Sequence, residues 1–206
     1  MVILFVHGWG FDVSIWHAVS KSLPSTLTMK FINLGFIGEQ TLSLPASDRI
    51  VCVGHSLGVM WLLKHVKNPI GFVAINGFDC FYNHISVPDI NAMKTNIDRN
   101  ALAQMRGFYN ACGVPHTTLP NFNKTALKQG LTWLETWNVH DELSQLSCPI
   151  TALSSKNDAI ISARASEAIW SNHELIWHDD GGHCLPITAS DLCAQKIKDL
   201  IHACAA

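Results

Sequence analysis

The stretch "GHSLGV" sets Ser56 between Gly54 and Gly58, directly after the apolar run "RIVCV" and before "LGVMWLLKHV", which carries helical spacing. A strand that runs through G-x-S-x-G into a helix holds its serine at the tip of a tight turn, on strained backbone that lifts Oγ clear of the sheet. The flanking glycines let neighbouring backbone pass where a Cβ would clash. The following helix turns its free amides and the positive end of its dipole toward developing negative charge. The chemistry such a serine could do is attack on an acyl carbon. The same letters also read as a plain turn with Ser56 as helix N-cap, because serine is a favoured capping residue.

Partners are therefore needed. A serine hydroxyl is a weak nucleophile until a base takes its proton, and that base must be oriented by a carboxylate. Behind an elbow of this kind the chain order is serine, acid, histidine. "KNDAIIS" supplies Asp158 after the run "PITALSS", and "DGGHCLP" supplies His183 after "ELIWH". Each lies at the end of a predicted strand, where open α/β sheets place their sites. Asp158 also reads as an acid opening the next helix, and His183 as an idle loop residue. Asp179 and Asp180 sit too close in sequence to His183 to reach around it easily, and His55 is assigned to packing.

Acyl transfer also needs amide donors aimed at the tetrahedral oxyanion. Leu57, next after the serine, and Trp9 in "HGWG" are the candidates; the alternative for Trp9 is an aromatic plug in a glycine turn. "HDDGGH" gathers His178, Asp179, Asp180 and His183, but no zinc spacing is recognisable. Neither a metal nor another cofactor is expected.

These residues need elements to hold them. Short apolar runs at 2–7, 29–33, 49–54, 70–76, 149–155 and 174–179 read as strands, with helical patterns at 15–23, 56–66, 162–170 and 189–204. The alternation is that of βαβ units feeding a mostly parallel sheet flanked by helices. Residues 78–138 break the rhythm with helical spacing, and are read as a small helical cap inserted between core segments 1–77 and 139–206. Within it "ALAQMRGFYNACG" sets Leu102, Met105, Phe108 and Tyr109 on one expected stripe, with Phe108 as a wall of an acyl channel.

The whole chain sets outer bounds. Its 206 residues suit one domain able to bury roughly 70% of its unfolded surface. Hydrophobic residues make up 48% and charged residues 15%, which excludes disorder and suggests a large core or apolar pocket. A formal charge of −2 without any basic run argues against nucleic acid. Seven scattered cysteines without a C-x-x-C pair point to a reducing, cytoplasmic setting. "MVILFVHGWG" has too short an apolar run for a signal peptide or a membrane span. A monomer without membrane partners is expected.

Taken together, these motifs resemble those of the α/β-hydrolase family. More narrowly, "HGWGFDVSIW", "GHSLG" and "LKQGLTWLETWNVHDELSQLSCPITALSSKNDAIIS" are similar to the pimeloyl-acyl-carrier-protein methyl ester esterases of bacterial biotin synthesis. The similarity spans most of the chain and is weak between residues 78 and 123. It implies an α/β-hydrolase fold and a carboxylesterase that hydrolyses the methyl ester of pimeloyl groups on acyl carrier protein. It carries the triad onto Ser56, Asp158 and His183, and the oxyanion donors onto the amides of Trp9 and Leu57.

In that family, basic cap residues receive the acidic carrier protein. The cap here offers Lys94, Arg99, Arg106, Lys124 and Lys128. Arg99 and Arg106 are placed with the substrate, because two helical turns separate them and an unbroken helix would put them on one face. Three departures stand out. The chain begins inside the first matched strand, so a shortened sheet edge is expected; "NLGFIGEQ" replaces a loop that often reads "DLPGFGxS" and loses its acid; and the cap is compact. A general carboxylesterase, thioesterase or lyase, or a binding module lacking catalysis, stays open on the residues alone. One exposed cationic patch beside the pocket would favour a carrier protein, and scattered cations a small free ester.

Overall fold

The computed structural model describes residues 1–84, 87–114 and 118–205. Six strands form a sheet: β1 (Val2–Val6), β2 (Thr28–Ile32), β3 (Ile50–His55), β4 (Gly71–Ile75), β5 (Ile150–Ser155) and β6 (Glu174–His178). Their order is β2-β1-β3-β4-β5-β6, and every pairing is parallel. β3, β4 and β5 are buried along their whole length, as central strands covered on both faces must be, whereas the edge strands β2 and β6 are only half-buried.

Helices cover the faces: α1 (His17–Lys21), α2 (Leu57–His65), α6 (Ala163–Trp170), α7 (Leu185–Thr188) and α8 (Ser190–Ala205). Residues Leu57 through Leu63 of α2 are all buried, so this helix is apolar on every side and runs through the interior. Between β4 and β5 the described residues hold three more helices, α3 (Val87–Ala111), α4 (Lys124–Thr136) and α5 (His140–Ser144). These sit against the loops at the carboxyl ends of the strands. Tyr109 donates through its hydroxyl to the Gly10 carbonyl at 2.7 Å, and the Trp9 indole donates to the Leu127 carbonyl at 2.8 Å.

Two expectations for this helical stretch change. α3 is broken at Asn100, whose φ of −157° and ψ of 87° are not helical. The Asn100 side chain instead caps a second segment by accepting from the Ala103 amide at 3.1 Å. Arg99 and Arg106 therefore do not share the face of one continuous helix. Nor does Leu102 join the inward stripe: it is 53% exposed, while Ala101, Met105, Tyr109 and Cys112 are buried.

Candidate active site

Ser56 follows β3 with φ 53° and ψ −125°, a left-handed conformation that a non-glycine residue adopts only when its surroundings impose it. The flanking glycines are required by close approach. A Cβ on Gly58 would lie 2.2 Å from the Val6 carbonyl oxygen, and one on Gly54 would lie 2.8 Å from the Val59 amide. The first turn of α2 thus rests directly on the end of β1. Although Ser56 occupies the N-cap position, its side chain makes no capping hydrogen bond. Its Oγ lies 2.9 Å from Nε2 of His183.

His183 Nδ1 lies 2.8 Å from Oδ2 of Asp158, and both side chains are almost fully buried. The other carboxylate oxygen of Asp158 accepts from the amides of Ile160 and Ile161 at 2.7 and 3.1 Å. Ser162, not Asp158, caps α6. Burial by itself would raise the Asp158 carboxyl; the charge and hydrogen bond of His183, with the two amides, outweigh it and hold the acid below its ordinary range. Of the rival acids, Asp179 pairs with Lys156 and Asp180 accepts from Asn157.

Trp9 lies beyond β1, beside the elbow. A Cβ on Gly8 would meet Cβ of Ser56 at 2.9 Å, so this loop runs against the serine. The Leu34 amide donates to His7 Nε2 at 3.0 Å, which leaves the proton on Nδ1 to donate to the Gly8 carbonyl at 2.9 Å. In a trans peptide the amide points opposite to its carbonyl, so His7 turns the Trp9 N–H away from itself. The Leu57 amide opens α2 and has no carbonyl one turn back to bond. His7 was visible in "HGWG", but its part in aiming the loop was not.

A narrow cavity of about 70 Å³ reaches Ser56 and His183 and is otherwise walled by apolar side chains, among them Trp9, Phe78, Met93, Phe108 and Ile160. Phe108 packs edge-on against Trp9, with ring centroids 4.7 Å apart. The structure thus brings Ser56, Asp158, His183, Trp9, Leu57 and Phe108 together. Arg99 and Arg106 are exposed and do not line this cavity. Of the other cations named between residues 78 and 138, Lys94 pairs with Glu135 and Lys128 with Asp98, both ties joining α3 to α4. The seven cysteines are free thiols. Burial pushes those of Cys112 and Cys184 far up, so they stay protonated and unreactive.

His55, assigned to packing from the sequence, also makes a hydrogen bond. It is fully buried, and its Nε2 donates to the main-chain carbonyl of His183 at 2.8 Å.

No family model matches the chain. It is 25% identical to the biotin biosynthesis bifunctional protein BioHC of Saccharophagus degradans, over 98% of this chain and 44% of that protein. It is 23% identical to a pimeloyl-[acyl-carrier protein] methyl ester esterase of Legionella pneumophila, over 98% and 95% of the two. The chain thus spans less than half of the bifunctional relative. Among solved structures, a bromoperoxidase from Bacillus anthracis superposes with a TM-score of 0.81 at 11% identity, covering 98% of this chain and 91% of the other. A lipase-esterase related protein from Clostridium acetobutylicum gives 0.75 at 19% identity, covering 97% and 93%. The architecture is the α/β-hydrolase fold.

Proposed function

We propose that this α/β-hydrolase is a serine carboxylesterase in which Ser56 is the nucleophile, His183 the base and Asp158 its orienter. The observation that carries the reading is the unbroken line from Ser56 Oγ through both nitrogens of His183 to Asp158, at 2.9 and 2.8 Å, ending on a strained elbow. Oγ attacks the ester carbonyl as its proton passes to His183 Nε2, and the resulting imidazolium is held by Asp158. Negative charge on the carbonyl oxygen meets the amides of Trp9 and Leu57. Collapse expels the alcohol, which takes the proton from Nε2, and leaves Ser56 acylated. Water then attacks the acyl group with His183 again as base, releasing the acid and restoring the hydroxyl.

For the substrate we propose the methyl ester of a pimeloyl group on acyl carrier protein, with methanol as the alcohol. The names of the curated relatives support this choice, and the apolar cavity suits a methylene chain. Helices α3 and α4 act as the cap that covers the chain, and Arg99, Arg106 and Lys124 remain to meet an acidic carrier. Among the described residues, no helix is long and apolar enough to cross a membrane. With seven free thiols, this suits a cytoplasmic enzyme.

A second reading, hydrolysis of small free esters or thioesters, is favoured by the small cavity and by the neutralisation of Lys94 and Lys128. Comparing kcat/KM for methyl pimeloyl carrier protein with that for short nitrophenyl esters decides between them. A preference for the carrier-bound ester is expected. Equal or better turnover of the nitrophenyl esters would select the second reading.

A further inference from the structure

The base is carried on a loop that has far to travel. His183 follows β6, yet it meets a serine at the end of β3, three strands away in the sheet, or roughly 14 Å at ordinary strand spacing. Gly181 and Gly182 let the loop turn back over the ends of β5 and β4, Gly182 with φ 60°. Such a loop needs to be held if His183 is to stay within hydrogen-bond distance of both partners.

Its backbone is gripped at consecutive groups. Ser155 Oγ and Asn157 Oδ1 accept from the Gly181 amide at 3.0 and 3.2 Å, and Asn157 accepts from the Gly182 amide at 2.8 Å. Asn76 donates to the Gly182 carbonyl at 2.8 Å, and the His183 amide donates to the Cys112 carbonyl at 3.1 Å. The last grip is the one from His55 to the His183 carbonyl. It acts on the residue whose ring must be placed, and it comes from the residue beside the nucleophile. Elbow and base are thereby joined by a hydrogen bond that leaves both reacting side chains free.

We propose that His55 is a positioning residue: its Nε2–H fixes the main chain of His183 relative to Ser56, and so sets the alignment of base and nucleophile. The inference rests on the reading of Ser56 and His183 given above. The ring is suited to the task. Because Nε2 donates to a carbonyl, Nδ1 carries the lone pair, and it has no hydrogen-bond partner among the described residues. Burial, reinforced by the neighbouring His183, lowers the His55 pKa to about 3, so the ring stays neutral and keeps one tautomer wherever His183 works. Phe11 packs edge-on to the ring, and a Cβ on Gly8 would lie 2.8 Å from its Nδ1, so it has no room to swing away.

The test compares His55→Leu, which removes the donor, with His55→Gln, whose terminal amide reaches about as far as Nε2 and can donate. Both are assayed on nitrophenyl butyrate beside the parent protein and Ser56→Ala. A misplaced base costs about ten-fold to a hundred-fold. His55→Leu is expected to lose kcat by about ten-fold or more with KM within about two-fold, and His55→Gln to regain most of that loss. Folded His55→Leu with kcat near the parent value would overturn the proposal, as would a His55→Gln no better than His55→Leu, since packing alone would then explain the residue. If His55→Leu does not fold, His55→Gln decides: near-parental kcat supports the donor role, and a loss of ten-fold or more refutes it. Hydrolysis surviving in Ser56→Ala would instead remove the underlying reading of the site, an outcome distinct from any of these.

Discussion

The indole nitrogen of Trp9 donates to the carbonyl of Leu127 at 2.8 Å, tying the loop that runs beside Ser56 to helix α4. Gly130, one turn further along α4, leaves room for the same indole: a Cβ there would lie 2.7 Å from both the Trp9 and Phe36 rings. Trp9→Phe keeps an aromatic plug and removes the donor. A loss of about 1 kcal/mol is expected, read as a lower urea midpoint, with a larger fractional loss of kcat than of stability because the Trp9 amide is displaced. A variant with unchanged midpoint and turnover would show that the tie between this loop and α4 does no work.

Ser56→Ala should abolish hydrolysis, by about a thousand-fold or more, while leaving the fold intact, since among the described residues the hydroxyl caps nothing and bonds only toward His183. A fluorophosphonate should label the parent protein at Ser56, read by peptide mass spectrometry. Label on another serine would move the nucleophile elsewhere.

Asp158→Asn should lower kcat by about ten-thousand-fold, because the amide favours the wrong tautomer of His183. It also carries a pH signature. The folded carboxyl titrates below its ordinary value, so the stability it adds is complete above about pH 4, where the unfolded residue is ionised, and is lost as pH falls through the lower folded value. The gap in urea midpoint between parent and Asp158→Asn should therefore be widest at neutral pH and narrow below pH 4. A gap that widens in acid would contradict the sign.

His140 bonds through Nδ1 to Asp79 at 2.8 Å and ties α5 to the segment that follows β4. That hydrogen bond and the carboxylate charge raise the His140 pKa, so the sign is opposite. The added stability is complete below about pH 6.5 and disappears as pH rises through the raised value. The midpoint difference between parent and His140→Gln should be larger near pH 5.5 than near pH 9. The same difference at both would mean that charge on His140 is immaterial.

Charge reversal of Arg99 and Arg106 should raise KM for a carrier-bound ester and leave a neutral nitrophenyl ester untouched. The effect should shrink as salt passes about 0.15 M, where screening acts within about 8 Å. Equal losses on both substrates would assign the two arginines to the fold.

Much of this molecule was legible in its letters because the relevant physics is local. The six strands lie within the short, mostly apolar runs that the sequence sets between helical patterns. Gly54 and Gly58 announced an elbow because close backbone approach demands them wherever a strand turns so sharply into a helix. The break at Asn100 was also readable, since asparagine before "ALAQ" is a capping signal, but helical spacing on both sides hid it.

By itself the sequence determined which residues could do chemistry and the order in which the strands present them: a serine, an acid and a histidine, each at the carboxyl end of a strand. Tertiary structure alone decided how they meet. His55 and His183 are separated by 128 residues, and no periodicity records that one would hold the other. The same holds for Cys112, whose carbonyl reaches the His183 amide, and for Lys94 and Lys128, each of which finds its carboxylate partner on the other helix of the α3–α4 pair. Local patterns encode backbone preference and burial. Contacts across the sheet depend on strand order and on where a loop turns back, and these are settled only when the whole core closes.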